Sequence, residues 1–187
     1  MKKIFIFFLL PNLIFAELLL EITKGSENPY RVAIIPFQSD VSSVNNIVKV
    51  IKDDLLRSGE FYILDESMLL SIPTSIEEIN SSEWKLLNID FIVLGKISDE
   101  DNSSLKATYE IYDVSRKTKI RSSTVYGIPG RLRQLSHYVS DGIYESITGM
   151  RGVSTTKILY VNEIIDNDNL NYILYVDDAD MSLIHIS

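Results

Sequence analysis

"RVAIIPFQ", residues 31 to 38, is the run on which the fold turns. Val32 to Ile35 is unbroken apolar chain stopped by Pro36, the pattern of a strand covered on both faces. Directly after it the period changes. Val44, Ile47, Val48, Ile51 and Leu55 fall at i, i+3, i+4, i+7 and i+11, one stripe of an amphipathic helix. Ser42 or Ser43 stands where an N-cap is wanted, and Arg57-Ser58-Gly59 ends the helix with a residue free to turn left-handed. "FYILDE", Phe61 to Glu66, supplies a second strand. A buried strand, a helix and a strand make a β-α-β start, which sets the class as α/β.

Reading on from that start, Ser81-Ser82-Glu83 opens a short helix carrying Trp84 and Leu87, and Asn88 stops it before the apolar strand "IDFIVLGKI". Alternation then takes over. Leu105, Ala107, Tyr109 and Ile111, and after a turn Ile120, Ser122, Thr124 and Tyr126, predict an antiparallel meander with one face turned from the core. A last helix runs from Leu132 to Thr148, with Leu132, Leu135, Val139, Ile143 and Ile147 on one side and Gly149 closing it. Residues 29–152 therefore read as an α/β domain, a mixed β-sheet flanked by helices. Residues 153–187 read as strand, turn, strand, turn, strand, most of one propeller blade. A blade needs neighbours over its faces, so this part is expected to be an incomplete β-propeller.

At the other end, Lys2 and Lys3 precede the apolar run Ile4 to Leu10, and Leu13-Ile14-Phe15-Ala16 forms a cleavage edge with a small residue last. Residues 1–16 are expected to be a removable signal peptide, because Ile4 to Phe15 is interrupted by Pro11-Asn12 and falls short of the roughly 20 residues that span a bilayer. The chain has no cysteine, hence no disulfide and no lipid-acceptor thiol. Removing Lys2 and Lys3 lowers the basic count from 18 to 16 against 26 acidic residues, a net charge of −10. That charge argues against nucleic acid and anionic lipid as partners, and no membrane insertion is expected after cleavage.

Groups for catalysis are scarce. His137 and His185 are the two histidines, neither within helical reach of a second ligand, so a zinc site is not expected. His137, two residues from its helix's apolar line, is expected to be a packing or hydrogen-bonding side chain. There is no G-x-S-x-G elbow, and "PFQSDVSS" after the first strand lacks the glycines of a phosphate loop. Asp166/Asp168 and Asp177/Asp178/Asp180 lack calcium-loop spacing and read as surface turns. An exported hydrolase would have to use Asp65, Asp90 or His137. A small-ligand or peptidoglycan-binding module would show a deep apolar cleft beside Trp84. No cofactor or metal is expected, and the chain is not expected to be an enzyme.

What remains is "ELLLEITKG", Glu17 to Gly25, at the start of the mature chain. Leu18, Leu20 and Ile22 point to one face and Leu19, Glu21 and Thr23 to the other, a period of two. It is either an edge strand of the main sheet or a strand that pairs with another protein's sheet, and Gly25 to Pro29 gives it a hinge.

The segments "LEITKG", "VAIIPF", "DLLRSGEF" (Asp54 to Phe61), "WKLLNIDFIVLG" (Trp84 to Gly95), "HYVSDGIYESITGMRG" (His137 to Gly152) and "TKILYV" follow one another as they do in the amino-terminal part of the TolB family, which the chain resembles. The resemblance implies an α/β domain followed by a six-bladed propeller, only the start of which is present. It implies a periplasmic adaptor of the Tol-Pal system, without catalysis, serving outer-membrane integrity and cell division. It places partner binding on the mature amino-terminal segment, residues 17–28, through Glu17, Leu18, Leu19, Leu20, Glu21, Ile22, Thr23, Lys24 and Gly25, with the carboxy-terminal domain of TolA as partner. The peptidoglycan-associated lipoprotein would dock on the mostly missing propeller. Where the family often carries a charge this chain has Leu19, so the outer face of the segment is more apolar here.

Overall fold

The computed structural model describes residues 26–39, 44–100, 104–166, 169–179 and 184–186. The signal peptide 1–16, the strand residues 17–25 and the Ser42/Ser43 cap lie outside the described residues. β1 (Tyr30–Ile34), β3 (Phe61–Ile63), β4 (Phe91–Glu100), β5 (Ser104–Asp113) and β6 (Thr118–Gly127) form a mixed sheet in the order β3-β1-β4-β5-β6. β1 is parallel to both β3 and β4, while β4-β5-β6 is the antiparallel meander.

α1 (Val44–Arg57) and α3 (Leu132–Thr148) cover one face of the sheet. Ile47, Val48, Ile51 and Leu55 of α1 and Leu135, Val139 and Ile143 of α3 are buried there with Val32, Ile34, Val93 and Ile97. Gly149 ends α3 in the left-handed conformation, φ 75°, its N–H donating to the Glu145 carbonyl. α2 (Ser81–Leu86) and the loop before it cover the β1-β4 part of the other face, where Trp84 packs with Ala33, Ile35, Ile92 and Leu94. N-capping of α2 falls to Asn80, whose side chain accepts from the Ser82 N–H.

Three details depart from the pattern. The first strand stops before Pro36 as expected, but the chain returns to the sheet after it: β2 (Gln38–Ser39) pairs Gln38 with Lys96, so β1 and β2 flank β4 in succession. The "FYILDE" strand is shorter than expected, because the Asp65 carboxylate accepts from the Ser67 N–H and starts a 3-10 turn at Glu66–Met68. In β6 the register against β5 shifts, with Ile111 facing Arg121 but Tyr112 facing Lys119, which makes Ile120 an inserted residue. The bulge breaks the alternation drawn through Ile120. Ser123 and Val125 share a face with Tyr109 and Ala107, and Ser122, Thr124 and Tyr126 face outward.

β7 (Lys157–Asp166), β8 (Asn169–Asp178) and β9 (Ile184–Ile186) form a separate antiparallel sheet, partial and propeller-like, with no closed ring among the described residues. Leu159, Val161, Tyr172 and Leu174, which register places on one face, are exposed, as an uncovered blade requires. The link to this sheet is held by α3: Asp141 accepts from Ser154 N–H at 2.7 Å and from Thr155 N–H at 3.0 Å.

Candidate partner-binding site

The expected binding residues, Glu17 to Gly25, lie outside the described residues; the description begins at Ser26. The Ser26 N–H donates to the Gly59 carbonyl at 2.9 Å, and the Tyr30 N–H to the Glu60 carbonyl at 2.8 Å. The chain is thus tied down beside the α1-β3 turn, where Gly59 (φ 73°) takes the left-handed conformation foreseen for it. Below it an aromatic wedge fixes the first turn of chain: Tyr30 lies 5.9 Å from Phe61 and 6.0 Å from Phe91, and Phe61 lies 5.6 Å from Tyr144 on α3. Arg31 stacks over the Tyr62 ring at 4.2 Å, and its N–H donates to Asp90. Everything from Ser26 inward is anchored at the edge strand β3.

The residues considered for catalysis do not converge. Asp65 is spent on its 3-10 cap and Asp90 on the Arg31 N–H. The Ser67 hydroxyl and N–H hold the Asp65 carboxyl below the usual aspartate range. His137 is buried and hydrogen-bonded: its Nδ1 lies 2.7 Å from Asp54 Oδ2, and Ser140 Oγ donates to the same oxygen at 2.6 Å. A serine, a histidine and an aspartate are together here, but the carboxylate is in the middle. No base faces the hydroxyl as nucleophilic catalysis demands, and all three groups are shut away from solvent. The arrangement bonds α1 to α3. Sequence reasoning missed Asp54, although its position three residues after Ile51 and beside Leu55 puts it on the buried stripe.

Trp84 is fully buried in the second core rather than beside an open cleft. Asp177 and Asp178 are not surface turn residues. They are 3% and 5% exposed at the end of β8, where Asp178 pairs with Lys157 and the Asp177 side chain accepts from the Asp178 N–H. Asp166 closes β7, His185 falls in β9, and Asp168 and Asp180 lie outside the described residues. Among the described residues no group of three or more histidine, cysteine or acidic side chains could hold a metal. No helix among them is long and apolar enough to cross a membrane.

Residues 18–120 match the sequence model of the TolB amino-terminal domain. The chain is 33% identical over 171 residues to the Tol-Pal system protein TolB of Hydrogenovibrio crunogenus, covering 89% of this chain and 40% of that protein. It is 34% identical over 184 residues to that of Hahella chejuensis, covering 96% and 43%. In three dimensions it is similar to the crystal structure of TolB from Acinetobacter baumannii, with a TM-score of 0.74 at 28% identity over 89% of this chain and 40% of that one. The chain spans about two fifths of the length of these relatives. With a matching family model across more than half its length and the mixed sheet and helices of that fold, the chain belongs to the TolB amino-terminal domain family.

Proposed function

We propose that the chain serves the Tol-Pal system as a non-catalytic periplasmic adaptor, donating its mature amino-terminal strand to the sheet of a partner. The observation that carries this reading is the family match, which begins at residue 18 and so includes the alternating segment. Its relatives carry the name Tol-Pal system protein TolB. On this reading the partner is the carboxy-terminal domain of TolA. Leu18, Leu20 and Ile22 are its apolar anchors, and the backbone of residues 18–23 forms the ladder. The peptidoglycan-associated lipoprotein belongs to the propeller of the longer relatives, and outer-membrane integrity and cell division are the processes served. Residues 1–16 direct export, residues 17–28 bind, residues 29–152 are the α/β body, and residues 153–187 start the propeller.

The test is calorimetric titration of the TolA carboxy-terminal domain into the mature chain and into a variant lacking residues 17–24. On this reading binding vanishes in the variant while its thermal midpoint stays within about 1 °C, because the segment's bonds go to the partner and not to the body. Undiminished binding would sink the proposal. A large loss of stability would instead make the segment an edge strand of the body's own sheet.

A further inference from the structure

β6 is a terminal strand of the main sheet, and among the described residues no strand pairs with its outer edge. Its two halves differ. The first carries Lys119, Arg121 and the Ile120 bulge, devices that keep a strand edge from pairing. The second, Ser122 to Gly127, is six residues without a charge or a proline. An open edge of that kind is a template for another strand. On the α3 side of this stretch lies a hollow of about 310 Å³, walled by Ser123 and Val125 of β6 and by Tyr138 and Gly142 of α3. Val125 is only partly buried at the rim of the core, and Tyr138 is 47% exposed. The charged residues in the walls balance, Arg121 and Arg151 against Asp141 and Glu145, so the hollow suits an apolar side chain rather than an ion.

A strand added to this edge would lie about 4.8 Å beyond β6 and send alternate side chains into the hollow. Residues 18–23 have the length and the pattern, six residues with apolar side chains at 18, 20 and 22. Run antiparallel, with Leu18 opposite Gly127 and Thr23 opposite Ser122, they set Leu20 beside Val125 and Ile22 beside Ser123 on the α3 side. The same register sets Leu19 beside Tyr126, which is 60% exposed on the outer face, an aliphatic–aromatic cross-strand pair. The parallel direction over the same six residues fails, because it turns Leu18, Leu20 and Ile22 to the outer face. A chain's own strand cannot fill its own edge. Three residues separate Thr23 from Ser26, a reach of at most roughly 11 Å. β6 stands four strand spacings, roughly 19 Å, from β3, beside which Ser26 is held. We infer that the Ser122 to Gly127 edge of β6 accepts residues 18–23 of a second copy of the chain as an antiparallel strand. Each copy then carries a donor and an acceptor, and copies join head to tail. This rests on the reading of residues 18–23 as a donated strand and adds a second acceptor to the one proposed above.

The experiment is sedimentation equilibrium on three forms of the mature chain: unaltered, lacking residues 17–24, and carrying Ser123→Lys with Tyr138→Lys, which sets two charges in the hollow and leaves the donor strand intact. The unaltered chain should associate reversibly as its concentration rises, and each variant alone should stay monomeric. An equimolar mixture of the two variants should give one-to-one dimers, since one retains the edge and the other the strand. Dimers in the mixture also show that both variants fold. With the deletion variant isotope-labelled, the amide shifts on mixing should fall on Ser122 to Gly127. An unaltered chain that stays monomeric, association that survives either change, a mixture without dimers, or shifts centred on Phe61 to Ile63 would each overturn the assignment. Titration of the TolA carboxy-terminal domain into the double-lysine variant separates the two proposals. Binding there without dimers in the mixture overturns the β6 acceptor alone, and dimers without TolA binding overturn the proposed partner and leave the β6 acceptor standing.

Discussion

Replacing Asp54 by alanine tests whether the buried carboxylate is a structural bolt between α1 and α3. The wild-type carboxylate takes His137 Nδ1 at 2.7 Å and Ser140 Oγ at 2.6 Å on one oxygen, and Arg57 Nη1 at 3.2 Å on the other. Its side chain is fully buried and that of His137 is 3% exposed. Alanine leaves the ring and hydroxyl facing a void that cannot return their bonds. Removing one member of such a buried pair costs about 3–5 kcal/mol. For a domain of this size each kcal/mol moves the thermal midpoint by roughly 2–4 °C, so a fall of about 6–20 °C is expected. Asp54→Asn keeps the shape and one acceptor and should lose about half as much. Ser140→Ala, which deletes a single neutral donor, should cost about 1 kcal/mol. Differential scanning calorimetry of the three variants reads the series directly. If Asp54→Ala shifted the midpoint by less than about 3 °C, or if Ser140→Ala cost as much as Asp54→Ala, the carboxylate would not be the hub of the cluster.

Two further perturbations probe the rest of the body. Gly95→Ala drives a Cβ into the Phe37 ring, which lies against β4 where the chain crosses from β1 to β2. Urea unfolding should show a loss of about 1–3 kcal/mol from overpacking, part of which Phe37→Leu restores in the double variant; strictly additive costs would refute the contact. As for pH, the Thr74 N–H and then its hydroxyl hold the Glu78 carboxyl below its ordinary value of 4.5, as Ser67 holds Asp65 below 3.8. Carboxylates with depressed values stabilise the fold above the unfolded value and lose that contribution as pH falls through the folded one. The Thr74 and Ser67 amide shifts should therefore titrate with midpoints under 4.5 and 3.8, and midpoints above them would contradict the hydrogen bonds at 2.7 and 2.8 Å.

The elements legible in the sequence are those whose signal is local and periodic. α3 begins at Leu132 and ends at Thr148 as its stripe and Gly149 require, β4 follows its apolar run, and β5 follows its alternation. What was not legible depends on partners distant in the chain. Whether Asp54 is solvated or buried is decided by His137, 83 residues away. Ile120 becomes a bulge only because β5 sets the register opposite it. Asp177 and Asp178 look like turn residues by type, yet β7 brings Lys157 to one of them and the end of a strand encloses both. For residues 17–25 the sequence offers a period of two. A period cannot say which sheet a strand joins, because that choice belongs to the edge it meets.

The described edges of the body bear on the proposed pairing of residues 18–23. Among the described residues β3, beside which Ser26 is anchored, is a terminal strand and contributes three residues, an edge of roughly 10 Å at about 3.3 Å per residue. A ladder over residues 18–23 extends roughly twice as far, so β3 could satisfy only about half of its backbone groups. β6, the opposite terminal strand, has ten residues, but it stands four strand spacings away, roughly 19 Å across the sheet. On the proposed reading, residues 18–23 gain most from a partner sheet whose free edge is longer than β3, because it can return the backbone bonds that three residues cannot.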